Sequence, residues 1–372
     1  MNLNENATRA GRILSRPFSL GGLTLPNRIA MAPMSRYFAP DGVPGSDLAE
    51  YYARRAAGGV GLIITEGTYV DHPSAGSSDR VPHFFGEKAL SGWAGVVDVV
   101  HQAGARIVPQ LWHVGATRNF GSEPAPDGIG PSGLGLTGEP AGRAMSQTDI
   151  DNVIASFATA AADAERLGFD GIELHAAHGY LIDQFLWAGT NRRDDGYGGS
   201  LAARVRFATE VVAACRGAVS RSFPVIFRLS QWKVDNYTAK VADTPDELER
   251  LLVPLAEAGA DVFHCSTRRY WEPEFEGSQL NLAGWAKKLT GRPTVTVGSV
   301  GLNKQLMAEE TADDPIAAES IDGLLDRMER DEFDLVAVGR ALIADPDWAA
   351  KTVQGRTHEL VPFDSGMLAS LH

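Results

Sequence analysis

SQTDIDNVIASFATAAADAERLGFDGIELHAAHGY, residues 146–180, carries a helix, its stop, a buried strand and a cluster of reactive side chains, in that order. Apolar residues at Val153, Ile154, Phe157, Ala160, Ala161, Ala164 and Leu167 recur close to a 3.6-residue period, which predicts an amphipathic helix over Asp149–Leu167. Ser146 and Asp149 have the spacing of a capping box, and Gly168 serves as the stop. Asp170–Leu174 then reads as a short buried strand. His175, His178 and Tyr180 follow at once, so a strand end delivers two imidazoles and a phenol to one small volume. Two neutral donors of this kind can hold a carbonyl oxygen while the phenol hands a proton to a nearby carbon.

The same alternation recurs along the chain. Strands are predicted at Ile29–Met34, Gly61–Thr65, Arg106–Leu111, Val225–Leu229, Asp261–His264, Thr294–Val297 and Asp334–Val338, short apolar runs suited to a parallel sheet covered on both faces. Helical patterns over Leu48–Ala57, Leu90–Ala103, Leu201–Val219, Asp246–Ala258 and Ser320–Arg330 fall between them. Eight strands alternating with helices, with no linker dividing them, predict an α/β chain built as a single (β/α)8 TIM barrel. The barrel is expected over 18–353, after a loose polar arm at 1–17 and before a tail at 354–372 that docks on a neighbouring subunit or frays. Phe18–Asn27 reads as a hairpin at the barrel floor, Gly115–Gly142 as a long functional lid after strand 3, and Thr311–Ala318 as an acidic insertion.

Composition narrows the function. The 372 residues are 44% hydrophobic and 22% charged, values of a globular protein with a sizeable core. A net charge of −13 argues against nucleic acid as a partner. Two cysteines, Cys215 and Cys265, make neither a disulfide framework nor a metal-ligand set, which fits a reducing cytoplasm. No apolar run approaches the ~20 residues of a membrane span, and the first residues lack an apolar signal core.

A barrel keeps its chemistry just beyond the strand C-termini. Polar or glycine residues stand at those ends: Met34-Ser35, Glu66-Gly67, Gln110 with Trp112, His175 with His178, Arg228, Ser266, Gly298-Ser299 and Gly339-Arg340. The last two pairs have the form of a phosphate corner, where glycine lets main-chain N–H groups approach an anion and a guanidinium forks onto it; alone, each glycine is a turn. Arg228, set among apolar neighbours, needs an anionic or polar partner, either the pyrimidine edge of a flavin or a glutamate. His175 and His178 do not read as a metal pair, because Glu173 precedes both and no further ligand stands near. Gly128–Gly133 and Gly133–Gly138 match G-x-G-x-x-G, but neither follows a strand nor opens a helix. Tyr37, Trp112, Tyr270 and Trp271 fall near strand ends, and Tyr270-Trp271 reads as pocket lining in a polar loop.

PNRIAMAPMSR (Pro26–Arg36), PQLWHVG (Pro109–Gly115), HAAHGYLIDQF with NRRDDGYGGS, FRLS (Phe227–Ser230) and DLVAVGRALIADPDW (Asp334–Trp348) together resemble the old yellow enzymes, flavin-dependent ene reductases of NADH:flavin oxidoreductase type. The resemblance runs from about Phe18 to Val353. It implies FMN across the barrel mouth against Pro33, Met34, Ser35 and Gly67, with Gln110 and Arg228 on the pyrimidine edge. Gly298, Ser299, Gly339 and Arg340 would take the phosphate. His175 and His178 would anchor a carbonyl or nitro oxygen, Tyr180 would protonate the substrate, and Trp112, Tyr37 and Trp271 would line its pocket. The implied reaction is ping-pong reduction of an activated alkene, with NAD(P)H as reductant. Ser35 departs from the threonine or cysteine common among relatives, Tyr37 resembles one branch of the family and Arg36 the others. Two other readings stand beside it: a flavin amine dehydrogenase or demethylase on the same barrel, and a phosphate-binding barrel without flavin, for which Lys233 is the nearest Schiff-base lysine. The oligomeric state stays open, a homo-oligomer included.

Overall fold

Eight parallel strands pair in chain order and close on themselves: β1 (Ile29–Met31), β2 (Leu62–Tyr69), β3 (Arg106–Trp112), β4 (Ile172–His178), β5 (Val225–Lys233), β6 (Val262–Ser266), β7 (Thr294–Val297) and β8 (Leu335–Val338). Val336 lies opposite Ile29 where β8 meets β1, which closes the ring. The computed structural model describes residues 8–20, 22–76, 78–117, 128–234, 236–302 and 319–372. Side chains of alternate parity fill the barrel: Ala30, Leu62, Ile64, Val108, Ile226, Val262 and Val295 form one buried cluster. The opposite parity, including Ile63, Ile107, Ile172, Phe227 and Phe263, packs outward under the helices. Burial on both faces is why these strands read as continuous apolar runs rather than alternating ones. A two-stranded hairpin, Phe18–Leu20 with Leu23–Leu25, adds Leu23 and Leu25 to the interior cluster, so it plugs the barrel as expected.

Helices cover the outside: α1 (Arg9–Leu14), α2 (Ser46–Ala57), α3 (Glu87–Gln102), α4 (Gln147–Arg166), α5 (Leu181–Leu186), α6 (Leu201–Ala218), α7 (Pro245–Ala258), α8 (Leu282–Thr290), α9 (Asp322–Glu329), α10 (Arg340–Ala344) and α11 (Trp348–Val353). The expected capping box on α4 is present, with Ser146 N donating to Asp149 at 2.8 Å and Ser146 Oγ accepting from Asp149 N. Gly168 follows with φ +87°, a left-handed conformation that glycine adopts at little steric cost.

Several expectations need correction. The segment before residue 18 is not a loose arm throughout: α1 buries Ile13 and Leu14, is capped by Thr8, and packs against α11 and α9. Residues 354–372 do not fray but return to their own barrel, with Phe363 only 4% exposed. The described part of the expected lid is not poised over the barrel mouth. Ile129–Gly130 pairs with Arg143–Ala144, and Thr117 Oγ1 donates to Gly179 O, so this loop braces the turn behind Tyr180. The acidic insertion at Thr311–Ala318 lies outside the described residues. Helices α1, α5, α8, α10 and α11 were not read from the sequence; four of them span at most six residues, too short to establish a period, and α8 spans nine.

Candidate active site

At the C-terminal mouth of the barrel lies a cavity of about 430 Å³, within the ~300–1,000 Å³ range of small-ligand sites. Most of the strands supply residues to it. Pro33, Met34 and Ser35 come from the end of β1, Gly67 from β2, Gln110 and Trp112 from β3, His175 and His178 from β4, and Arg228 from β5. Ser266 comes from β6, Ser299 follows β7, and Gly339 and Arg340 follow β8. Three of these strands are longer than their apolar runs. Strand β2 continues through Glu66 and Gly67, β4 through both histidines, and β5 through Lys233, each carrying polar groups toward the mouth.

The imidazoles are held in different ways. His178 takes φ +66° at an irregularity in the β4–β5 ladder, an uncommon conformation for a residue with a Cβ, and backbone strain of this sort clusters at functional sites. Its N–H donates to Ser230 Oγ at 2.9 Å, its Nε2 lies 2.8 Å from Ser266 Oγ, and its ring stacks on Trp232 at 4.2 Å. His175 is fixed by packing instead: its ring sits 4.9 Å from that of Tyr180 and 5.9 Å from Trp112, and its buried Nδ1 has no hydrogen-bond partner among the described residues. Burial first, and then the charge of Arg228, hold both imidazoles well below the ordinary histidine pKa, so both are neutral near pH 7. Tyr180 opens α5 with its ring edge-on to Trp112 at 4.8 Å. At Gly67 a Cβ would come within 2.6 Å of the Trp112 ring, so only glycine permits this packing.

Beneath the histidines runs a buried ion pair. Lys233 Nζ lies 2.8 Å from Asp183, with the two side chains 0% and 1% exposed. Lys233 also donates to Gln231 O at 2.7 Å, and Asp183 accepts from Gly179 N at 2.6 Å. The pair therefore ties the 178–180 turn to β5. It also removes Lys233 as a Schiff-base nucleophile, because its ammonium is consumed inside the wall. Replacing Asp183 with Ala would leave that ammonium buried and uncompensated; a loss of about 3–5 kcal/mol in urea unfolding is expected, and a loss below 1 kcal/mol would contradict the brace.

Three guanidiniums, Arg228, Arg268 and Arg340, line the cavity, and among the described residues no carboxylate does. Glu173, the carboxylate nearest in sequence to the histidines, is engaged below the floor: it accepts from Gln110 Nε2 at 2.7 Å and meets His264 Nδ1 at 2.6 Å. Arg228 is 6% exposed, and its Nε has no hydrogen-bond partner among the described residues. Among the described residues Arg228 forms no Arg–Glu ion pair, although the charge of Glu173 acts on it, and it lines the cavity with its Nε lacking an acceptor there. Burial, and then Arg268, bring Arg340 down to about 10, still cationic at neutral pH. Arg268 lies flat on Tyr237, 3.7 Å from the ring centre, and 5.5 Å from that of Trp232.

Not every expected residue reaches the cavity. Tyr37 does not line it but hydrogen-bonds Ser35, which does. Gly298 is flanked by two lining residues, Val297 and Ser299, without lining it itself. Trp271 is 40% exposed and lies away from it, while Tyr270 is 5% exposed and packs in the core, so the expectation that this pair lines the pocket is wrong. The wall they were expected to form is built by Trp232, Tyr237 and Arg268 instead. Trp232 was legible as the residue two past FRLS; Tyr237 and Arg268 carried no positional signal. Among the described residues no group of three or more His, Cys, Asp or Glu side chains could hold a metal ion, and no helix is long and apolar enough to cross a membrane.

The family model of the NADH:flavin oxidoreductase / NADH oxidase family matches residues 14–359. The chain is 36% identical over 353 residues to an NADH oxidase of Thermoanaerobacter brockii, covering 92% of this chain and 50% of that protein. The chain therefore spans about half the length of that relative. It is 34% identical over 358 residues to a chanoclavine-I aldehyde reductase of Penicillium roqueforti, covering 94% and 91%. A solved structure of morphinone reductase in complex with tetrahydroNAD superposes with a TM-score of 0.77 at 29% identity, covering 95% of this chain and 93% of that one.

Proposed function

The chain belongs to the NADH:flavin oxidoreductase / NADH oxidase family, the old yellow enzymes, and from that premise we propose that it is an FMN-dependent NAD(P)H oxidoreductase reducing alkenes activated by a carbonyl or nitro group. The observation that carries this reading is the pairing, in one cavity, of a buried arginine donor lacking an acceptor with two neutral imidazoles and a phenol. The residues fit FMN. Three guanidiniums in one cavity suit an anionic ligand, and Arg228 Nε has no acceptor among the described residues. Gln110 and Arg228 would hold the pyrimidine edge, Pro33, Met34, Ser35 and Gly67 the ring, and Gly298, Ser299, Gly339 and Arg340 the phosphate. Bound there, FMN would accept hydride from NAD(P)H and release it to the alkene in a ping-pong cycle.

The chain's own residues do the rest. His175 and His178, neutral in their pocket, donate N–H hydrogen bonds to the substrate oxygen and stabilise the charge that develops on it. Tyr180 supplies its hydroxyl proton to the carbon next to the carbonyl. Trp112 and Trp232 wall the substrate and limit its contact with water. A protonated amine would meet the positive charge of three lining arginines, which disfavours the amine dehydrogenase. Buried, unpaired Cys215 and Cys265 support a cytoplasmic setting.

Purified protein should be yellow, bleach on addition of NAD(P)H and regain its colour with cyclohexenone; a colourless protein that takes up no FMN would defeat the proposal. Arg228→Ala should weaken FMN binding by roughly 10- to 150-fold, the loss of about 1.5–3 kcal/mol for a charged hydrogen bond. Fluorescence titration of the apoprotein measures it, and unchanged affinity would remove Arg228 from the flavin site.

A further inference from the structure

Residues 363–372 run back along the cavity mouth and are fastened at both ends. Phe363 is buried with the Arg340 guanidinium 5.8 Å from its ring centre, which joins the segment to the end of β8. Asp364 caps the turn Ser365–Ala369, accepting from Gly366 N at 2.7 Å. Arg36, 3% exposed and next in sequence to the cavity residue Ser35, donates through Nη2 to Ser370 O at 2.7 Å and to Met367 O at 3.3 Å. Arg54 donates to Leu371 O at 3.0 Å, and Arg55 to His372 O. Arg36 and Arg55 both lie on the Tyr51 ring, 4.8 and 3.7 Å from its centre. Between these anchors Leu368 faces the cavity as one of its lining residues while remaining 45% exposed.

An apolar side chain held by main-chain anchors at the rim of a ligand cavity has little reason to be there for core packing. Its own burial is slight, whereas the hydrogen bonds that fix its backbone are numerous. We propose that Leu368 is a specificity-determining wall of the substrate site and that Arg36 is its positioning residue, so that the 363–372 segment limits how bulky an alkene the cavity admits. The inference rests on the ene-reductase reading above. The Arg36 guanidinium donates to carbonyls of the segment and does not line the cavity, so it fixes where Leu368 stands without touching substrate.

The test compares kcat/KM for cyclohexenone with that for a cyclohexenone bearing a bulky ring substituent. Leu368→Ala should raise the bulky-to-small ratio by about tenfold, and Leu368→Trp should lower it by a similar factor, the scale on which apolar pockets discriminate. Arg36→Ala should move the ratio in the direction of Leu368→Ala, mainly through KM, and Arg36→Lys should restore part of it. A ratio unchanged in both Leu368 variants overturns the proposal, whatever the Arg36 variants do. A readout apart from turnover uses Leu368→Cys: Cys215 and Cys265 are fully buried, so maleimide labelling reports the new thiol. Cyclohexenone added to the FMN-loaded protein should slow labelling several-fold, and labelling indifferent to the enone would also overturn it. Failure of the ene-reductase reading shows separately, as wild-type protein that takes up no flavin.

Discussion

Tyr180→Phe should slow reoxidation of the reduced flavin by cyclohexenone about 10²- to 10⁴-fold while leaving bleaching by NAD(P)H at its original rate. The asymmetry follows from what the substitution removes. Phenylalanine keeps the ring that packs edge-on against His175 and Trp112, so the cavity retains its shape. Only the hydroxyl is lost, and with it the proton for the carbon beside the carbonyl. An unperturbed phenol has a pKa near ~10 and so carries its proton at neutral pH. Hydride arriving from NAD(P)H needs no such proton, because that half of the cycle leaves no carbanion on a substrate. Stopped-flow absorbance at the flavin band separates the halves. Equal loss in both would mean that Tyr180 orders the site rather than supplying a proton, and equal retention would mean that solvent protonates the product.

The sequence was most legible where one physical demand governed many neighbouring residues. Strands β7 and β8 are legible to within one residue because both are buried and no charged residue interrupts them. Strand β4 was cut short at Leu174, since His175 and His178 are polar; the strand continues to His178 because those side chains face a cavity that a ligand would fill. The polar residues Ser230, Gln231 and Lys233 likewise end the apolar run of β5 at Leu229, but the strand reaches Lys233 because these side chains find partners inside the wall, at His178 N, Ala242 O and Asp183. The site was legible where groups sit at strand ends, and Gln110, Arg228, Gly339 and Arg340 all reach the cavity. It was not legible where contacts join distant loops. Tyr237 and Arg268 meet each other only through the fold, Trp271 turns outward, and Leu368 arrives from a segment that carries neither periodicity nor motif. Such pairings come from tertiary return of the chain, which local pattern does not encode.

His175→Ala should lower the rate of alkene reduction by roughly 10²- to 10³-fold, the ~2.7–4 kcal/mol that one donor contributes to a developing oxyanion. The corresponding change at His178 is expected to cost less. Its Nε2 is already engaged with Ser266 at 2.8 Å, so only the other ring nitrogen is left for a substrate, whereas His175 Nδ1 is buried without a partner among the described residues. The protonation state gives a second, independent check. Burial, and then Arg228, push both imidazoles well below the usual 6.5. A base with a lowered pKa stays uncharged until the pH falls past that lowered value, so neither ring gains a proton between about pH 8 and pH 6. The alkene step should therefore be flat across that window as far as these rings are concerned, with each neutral imidazole donating its single N–H. If single-turnover rates instead changed with a midpoint near 6.5 in the wild type, and lost that midpoint in His175→Ala, the charged imidazolium would be the active donor. Arg228 would then be stabilising something other than a neutral pair, because an imidazolium would add a fourth positive charge to a cavity already lined by three guanidiniums.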